Sequence, residues 1–330
     1  MKYDNCPLYM LKSKRMLKHL VGIMDNALLK QDHVASLIEP YIDVIGKPRL
    51  IEPPHAELKV IQKRIKNMLS KIEVPDNIFS GIKGRSYADN AAFHTGEHLR
   101  YLFKIDLTAF FPSIKREIVY RFFIEDLLCA PDVAQILTNF TTVDLSKSKA
   151  KDIETVYQFL TNKNVKCYNH LISGAPTSQI LSYLANHKMF NEMQTISDES
   201  GITMTVYVDD VTFSSEYYIS QKFKEKIYAI IRKYDYQISK KKVKGYSKRY
   251  PKLVTGVIID ASGRLTIKNS LRNKIMLEHK HLREYPEDII SRRRLRGLIT
   301  AARQVNKTAY PTIHGFAFSK APPVNSMNLH

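Results

Sequence analysis

Three aspartates carry the chemistry that this sequence offers. Asp209 and Asp210 stand side by side in Tyr207-Val208-Asp209-Asp210. Before them runs Ile202 to Val208, rich in β-branched and aromatic residues, and after them Val211 to Ser214 returns. That pattern predicts a hairpin with the two carboxylates at its turn. Asp106 ends another strand-like run, Tyr101 to Asp106. On a tight turn two adjacent carboxylates cannot both be buried, so one can project toward a facing strand, and Asp106 at the end of such a strand could supply a second bridge. The set suits nucleotidyl transfer. Joining a nucleotide to a 3′ or 2′ hydroxyl uses two divalent ions, one favouring the attacking alkoxide and one neutralising the leaving pyrophosphate. Magnesium takes oxygen ligands and keeps several waters, so two or three Asp side chains plus substrate phosphates complete such a site. Aspartate is also a favoured turn residue, so a solvated turn is the competing reading of the Tyr207–Asp210 string taken alone, and the weaker of the two.

The elements that must position these residues follow from periodicity. Apolar residues recur at helical spacing from about Lys12 to Asn26 and from His55 to Lys71, with basic residues between them, which predicts a mainly helical N-terminal region. Between them Tyr41 to Glu52, with Ile45, Gly46, Lys47, Pro48 and Arg49, reads as a short basic hairpin or extended flap. After Asp106 come Phe110, Phe111 and Pro112, then Ser113 as the expected N-cap of a helix running to about Leu128. A helix from Thr177 or Ser178 carries Ile180, Leu181, Leu184, Met189 and Met193 on one face. Gln221 to Tyr234 reads as a helix, Lys252 to Ile259 with Arg264 to Ile267 as a small sheet, and the chain from Asn269 onward as helical and basic. The order is that of an α+β protein, with helices packed on one face of an antiparallel sheet.

Composition narrows the partner. Among 330 residues, 51 Lys+Arg stand against 32 Asp+Glu, a formal charge of +19. That is more than solubility requires and points to a polyanion. Residues 231–330 hold about 22 of the basic residues against about 6 acidic ones, so the nucleic acid is expected at that end. No apolar run approaches the roughly 18–20 residues needed to span a bilayer, and the N-terminus lacks the apolar core of a signal peptide. A cytoplasmic protein without membrane association is expected. Cys6, Cys129 and Cys167 are isolated and odd in number, which writes neither a disulfide framework nor a CxxC metal site.

The order and spacing of Phe103-Lys104-Ile105-Asp106-Leu107-Thr108-Ala109-Phe110-Phe111-Pro112-Ser113, of Ser173-Gly174-Ala175-Pro176-Thr177-Ser178 and of Tyr207-Val208-Asp209-Asp210 resemble the three palm motifs of reverse transcriptases. Two shorter strings resemble retron reverse transcriptases in particular: Asn90-Ala91-Ala92-Phe93-His94 is similar to their NAxxH motif and Val254-Thr255-Gly256 to their VTG motif. The resemblance covers about residues 45–270. It implies a right-hand polymerase with fingers, a palm of antiparallel sheet and packed helices, and a helical thumb. The expected partition is N-terminal helices and fingers over 1–100, palm over 101–262 with a fingers or insertion segment at about 130–170, and an RNA-binding thumb over 263–330.

The resemblance also implies residue roles. Asp106, Asp209 and Asp210 would hold two Mg2+ ions, with Leu107 beside them as a further metal-site residue. Phe111, or its neighbour Phe110, would be the aromatic gate against a ribonucleotide 2′ hydroxyl; either is equally readable as core. Gly174, Ala175 and Pro176 would lie along template and incoming base, small residues allowing close approach. Here the chain departs from the family, with Ser173 for the usual Gln and Gln179 for the usual Pro, and with Val208 where retron enzymes commonly carry Ala. Lys47 and Arg49 resemble finger residues that grip the triphosphate of the incoming dNTP, and Lys242, in a run with Lys240 and Lys241, aligns with the lysine placed to protonate pyrophosphate. Asn90, His94, Val254, Thr255 and Gly256 are assigned to RNA handling. Arg292, Arg293, Arg294 and Arg296, too dense for one helix face to hide, are expected on phosphates.

The function thus implied is RNA-directed DNA synthesis on a cognate non-coding RNA (msr-msd), primed from an internal guanosine 2′ hydroxyl to give branched msDNA, in anti-phage defence with a separate effector protein. Two alternatives stay open on the residues. One is a group II-like, diversity-generating or abortive-infection reverse transcriptase; the other is an RNA-binding scaffold that restrains a toxic partner.

Overall fold

The computed structural model describes residues 1–23 and 25–319; Met24 in the first expected helix, and 320–330 of the expected thumb, lie outside the described residues. The chain divides into two units that interleave in sequence. One comprises Met1–Arg85, Phe103–Phe213 and Ile219–Lys244, the other Ser86–Leu102, Ser214–Tyr218 and Gly245–His330.

In the first unit β1 (Tyr41–Asp43) and β2 (Arg49–Ile51) form the expected basic hairpin, antiparallel with Ile42 opposite Leu50. Its loop stands in solvent, Ile45 being 89% exposed. Next come β3 (Tyr101–Asp106), the antiparallel pair β4 (Thr142–Asp144) and β5 (Asn169–Leu171), and the hairpin strands β6 (Thr203–Tyr207) and β7 (Asp210–Ser215). Strands β6, β7 and β3 lie side by side in that order, so both sources of carboxylate share one sheet. The helix Gln221–Lys233 buries Phe223, Ile227, Ile230 and Ile231, the spacing of one helical face. Phe223 meets Phe213 of β7 edge-on at 5.4 Å, and Phe213 stacks on Phe103 of β3 at 5.7 Å. Each such fully buried ring contributes about 1.5–3 kcal/mol of burial free energy.

Two expected helices are interrupted, and both breaks have visible causes. Ser113 is not an N-cap: its hydroxyl donates to the Ala109 carbonyl at the end of the short helix Phe110–Ser113. Ile114 is then extended and accepts from the Leu171 amide, fastening this segment beside β5. Helix resumes at Arg116–Arg121 and loosens into a π turn at Phe122–Asp126. The helix expected from Ser178 through Met193 is two, Ser178–Leu184 and His187–Glu199. At the joint, buried Asn186 donates to the Ser182 carbonyl and accepts from the Tyr236 hydroxyl at 2.6 Å, a side-chain alternative to the helical ladder.

The second unit holds the short helix Tyr87–Ala92, β8 (Lys244–Tyr246, continuing from the first unit) and a three-stranded meander β9 (Lys252–Val254), β10 (Val257–Ile259) and β11 (Leu265–Ile267). Ala88, Ala91 and Leu102 pack against Val254, Val257 and Ile259. Three helices follow, Asn269–Glu284, Ile289–Val305 and Pro311–Phe318, around a core of Ile275, Leu282, Leu295, Ile299, Ile313 and their neighbours. Cys6 and Cys129 are buried and all three cysteines are free. Among the described residues no helix is long and apolar enough to cross a membrane.

Candidate active site

Asp106 ends β3 and is 8% exposed. The next amide, Leu107 N–H, donates to the Asp209 carbonyl at 2.9 Å, so the β3 end and the hairpin turn adjoin at sheet spacing, about 5 Å. Segment 237–239 closes the other side of β3: Thr108 N–H donates to the Gln237 carbonyl and Ser239 N–H to that of Asp106. The turn is Val208-Asp209, with Asp210 already the first residue of β7. Val208 has φ +59°, a left-handed backbone that a β-branched residue rarely adopts. Its amide is fixed by buried Ser80, whose Oγ accepts at 2.7 Å.

The electrostatics are those of carboxylates crowded out of water. Burial, and then the neighbouring Asp106 charge, push the Asp209 carboxyl up to about 6. Burial also raises Asp106, opposed by Lys242. Two ammonium groups offset the charge. Lys242 Nζ donates to both Asp106 oxygens at 2.6 Å, and Lys104 Nζ donates to Asp210 Oδ2 at 2.6 Å. Among the described residues no three carboxylate, imidazole or thiolate groups converge to ligate a metal; Asp106 and Asp210 each turn to a lysine instead. The donor set fits divalent cations nonetheless. It is hard carboxylate oxygen, partly desolvated, and already attracts two stand-in cations.

Around the triad the other expected residues separate by burial. Phe110 is 4% exposed and packs edge-on against Tyr236 at 5.4 Å, whereas Phe111 is half-buried; only Phe111 has a face to offer a substrate. Gly174, with φ +112°, is exposed in the turn that continues through Ala175 and Pro176. Lys47 and Arg49 are exposed on the β1–β2 hairpin. A link between these last two parts was missed in the sequence. Glu52, just past β2 and fully buried, is bonded twice to Ser173: its amide donates to the Ser173 carbonyl at 2.7 Å, and its side-chain carboxylate accepts from the Ser173 amide at 2.6 Å and from His170 Nε2 at 3.0 Å. Lys104 and Ser80 were missed as well. Lys104 lay inside a quoted motif, and an inward-facing charge in an otherwise apolar strand was the available signal.

In the second unit several residues assigned to RNA handling are interior. Asn90 and Val254 are fully buried and His94 is 2% exposed. Asn90 Nδ2 donates to Thr255 Oγ1 at 3.3 Å, and that hydroxyl donates to the Tyr87 carbonyl at 2.8 Å. His94 Nδ1 lies 2.8 Å from Ser214 Oγ, and burial lowers its pKa to about 3, keeping it neutral. Thr255 and Gly256, both at positive φ, form the β9–β10 turn, with Gly256 exposed. Arg292 is also interior, 6% exposed, its guanidinium donating to the Phe316 and Pro286 carbonyls. Arg296 donates to the Ala317 carbonyl, Arg294 pairs with Glu278, and Arg293 and Arg294 are exposed.

Residues 30–260 match the family described as reverse transcriptase (RNA-dependent DNA polymerase). The chain belongs to that family. The reverse transcriptase of retron Se72 from Salmonella heidelberg (strain 579083-10) is 29% identical over 189 residues, 56% of this chain and 42% of the relative. That of retron Mx65 from Myxococcus xanthus is 27% identical over 79% of this chain and 59% of the relative, and that of retron Ec73 from Escherichia coli 26% identical over 86% and 87%. The chain thus spans about half the length of the Se72 and Mx65 enzymes. Similarity to retron reverse transcriptases is what the NAxxH and VTG strings led one to expect. Telomerase from Candida albicans aligns with 91% of this chain and 59% of its own at 10% identity and a TM-score of 0.45.

Proposed function

We propose that this chain is an RNA-directed DNA polymerase of the retron kind, which copies a cognate structured RNA into single-stranded DNA. The observation that carries the reading is the junction of the Asp106 strand end with the Asp209-Asp210 turn, where burial raises the carboxyls of Asp106 and Asp209 and where Lys242 and Lys104 pair with Asp106 and Asp210, in a member of the reverse transcriptase family. Bound there with the Leu107 carbonyl, two Mg2+ ions would activate the attacking hydroxyl and neutralise the leaving pyrophosphate. The chain's own groups do the rest. Lys47 and Arg49 grip the triphosphate, the Gly174-Ala175-Pro176 turn supports the base, and the half-buried Phe111 ring fills the space of a 2′ hydroxyl. Lys242, whose side chain is 44% exposed, can leave Asp106 and give a proton to departing pyrophosphate.

In this reading residues 1–100 act as N-terminal region and fingers, 101–262 as palm with an insertion at about 130–170, and 263–330 as thumb. Gly256, Arg293 and Arg294 face the RNA, while Asn90, His94 and Val254 shape the surface that does so. The product is branched msDNA begun at an internal guanosine 2′ hydroxyl of an msr-msd RNA, made in the cytoplasm and serving anti-phage defence with an effector protein. The test is to isolate the protein with its bound nucleic acid, with and without Asp209→Asn. Short DNA that separates from RNA only after debranching supports the proposal; linear cDNA removes the retron part, and unchanged DNA in the variant removes the polymerase.

A further inference from the structure

Two segments of the second unit, 214–218 and 245–252, bring tyrosines and cations together at the surface, none of them part of the carboxylate site. Tyr217 is 81% exposed, Tyr218 70% and Tyr250 68%. Ser215 Oγ accepts from the Tyr217 amide at 3.1 Å, shaping the turn that presents the pair. Tyr218 stands edge-on to Tyr101, centroids 5.7 Å apart at 89°, and Lys248 Nζ lies 5.6 Å from the same Tyr101 ring. The neighbouring loop is held open from beneath. Lys252, 2% exposed, spends its ammonium on the Lys248 and Tyr250 carbonyls at 2.9 and 3.0 Å. Burying a lysine is costly, and what it secures is a loop whose Arg249 and Tyr250 side chains point to solvent. Glu216 is the only carboxylate in the two segments.

We propose that Tyr217, Tyr218 and Tyr250, with Lys248 and Arg249, form a stacking platform for single-stranded RNA. Every base offers a π face to a tyrosine ring, and ammonium and guanidinium groups beside the rings follow the phosphates. Lys248 and Arg249 stand against the single carboxylate of Glu216 in these segments, a balance that favours a phosphate-bearing strand. The choice of RNA rests on the polymerase reading: in RNA-templated synthesis the product is born paired, and the unpaired strand is template still to be copied.

The test is fluorescence anisotropy of a labelled single-stranded RNA with the full chain. Each Tyr→Ala change is expected to weaken binding about fivefold or more, and Tyr→Phe to hold within about twofold, because stacking needs the ring and not the hydroxyl. Wild-type affinity in the triple alanine variant, or equal losses with Phe and Ala, overturns the platform. Tighter retention of DNA of the same sequence overturns the assignment to template. Irradiating the unmodified protein with 4-thiouridine RNA adds a readout independent of variant folding: crosslinks at Tyr217, Tyr218 or Tyr250 are expected, and crosslinks elsewhere alone refute it. Asp209→Asn separates the two readings, since it is expected to keep RNA binding while losing extension of an annealed primer.

Discussion

Asp209 is held in a state that costs the fold. Its carboxyl, raised to about 6 by burial and by Asp106, is destabilising once ionised, so its contribution is most favourable below the unfolded pKa and is lost as pH rises through about 6. Asp209→Asn is therefore expected to raise the thermal midpoint in metal-free buffer at pH 8, by about 1–3 kcal/mol of stability, with the gain shrinking between pH 6 and 4. Melting curves at the two pH values check it; a variant that is less stable at pH 8 contradicts the crowding. Because protons and Mg2+ compete for this carboxylate, the Mg2+ concentration that gives half-maximal primer extension by the wild type is expected to rise as pH falls from about 8 toward 6. Ser80→Ala leaves the Val208 amide without its acceptor at a strained turn and is expected to cost about 1–3 kcal/mol, read by denaturant unfolding.

Among the elements, the β1–β2 hairpin and the Gly174 turn act through one buried connector, Glu52 with His170 and Ser173. Glu52→Ala orphans an amide and an imidazole together, at about 2–5 kcal/mol. The milder Glu52→Gln is expected to raise KM for dNTP more than it lowers kcat, because it loosens where the hairpin sits without touching Asp106; equal effects on both would argue for general damage. The strands and the Gln221–Lys233 helix were legible because their apolar spacing matches the element's period. Other features were not, because their causes are distant in sequence. The break at Asn186 depends on the Tyr236 hydroxyl. Ser113 had the residue type of a cap, but Ile114 is drawn off to β5. Arg292 was grouped with Arg293, Arg294 and Arg296 as a phosphate contact because one helix face could not hide all four, yet carbonyls at the end of the Pro311–Phe318 helix accept guanidinium protons from Arg292 and Arg296, as unsatisfied helix ends do. The three aspartates and Lys242 stood out in the sequence as candidates; the pairing of Lys242 with Asp106 and of Lys104 with Asp210 did not, because the pairs join residues 136 and 106 positions apart.

For the whole molecule the governing quantity is charge. With +19 to neutralise, RNA affinity is expected to fall by roughly one to three orders of magnitude between 50 and 200 mM salt, measured by filter binding; a flat response would mean that phosphate contacts contribute little.

The Asn90–Thr255–Tyr87 connection joins strings 165 residues apart into one fitted part. On the RNA-handling role proposed above, a graft of RNA preference from a related enzyme is expected to need the segment around 86–94 and the β9–β10 turn as a single cassette. A chimera that takes one without the other inherits a mismatched joint, whatever either sequence looks like alone.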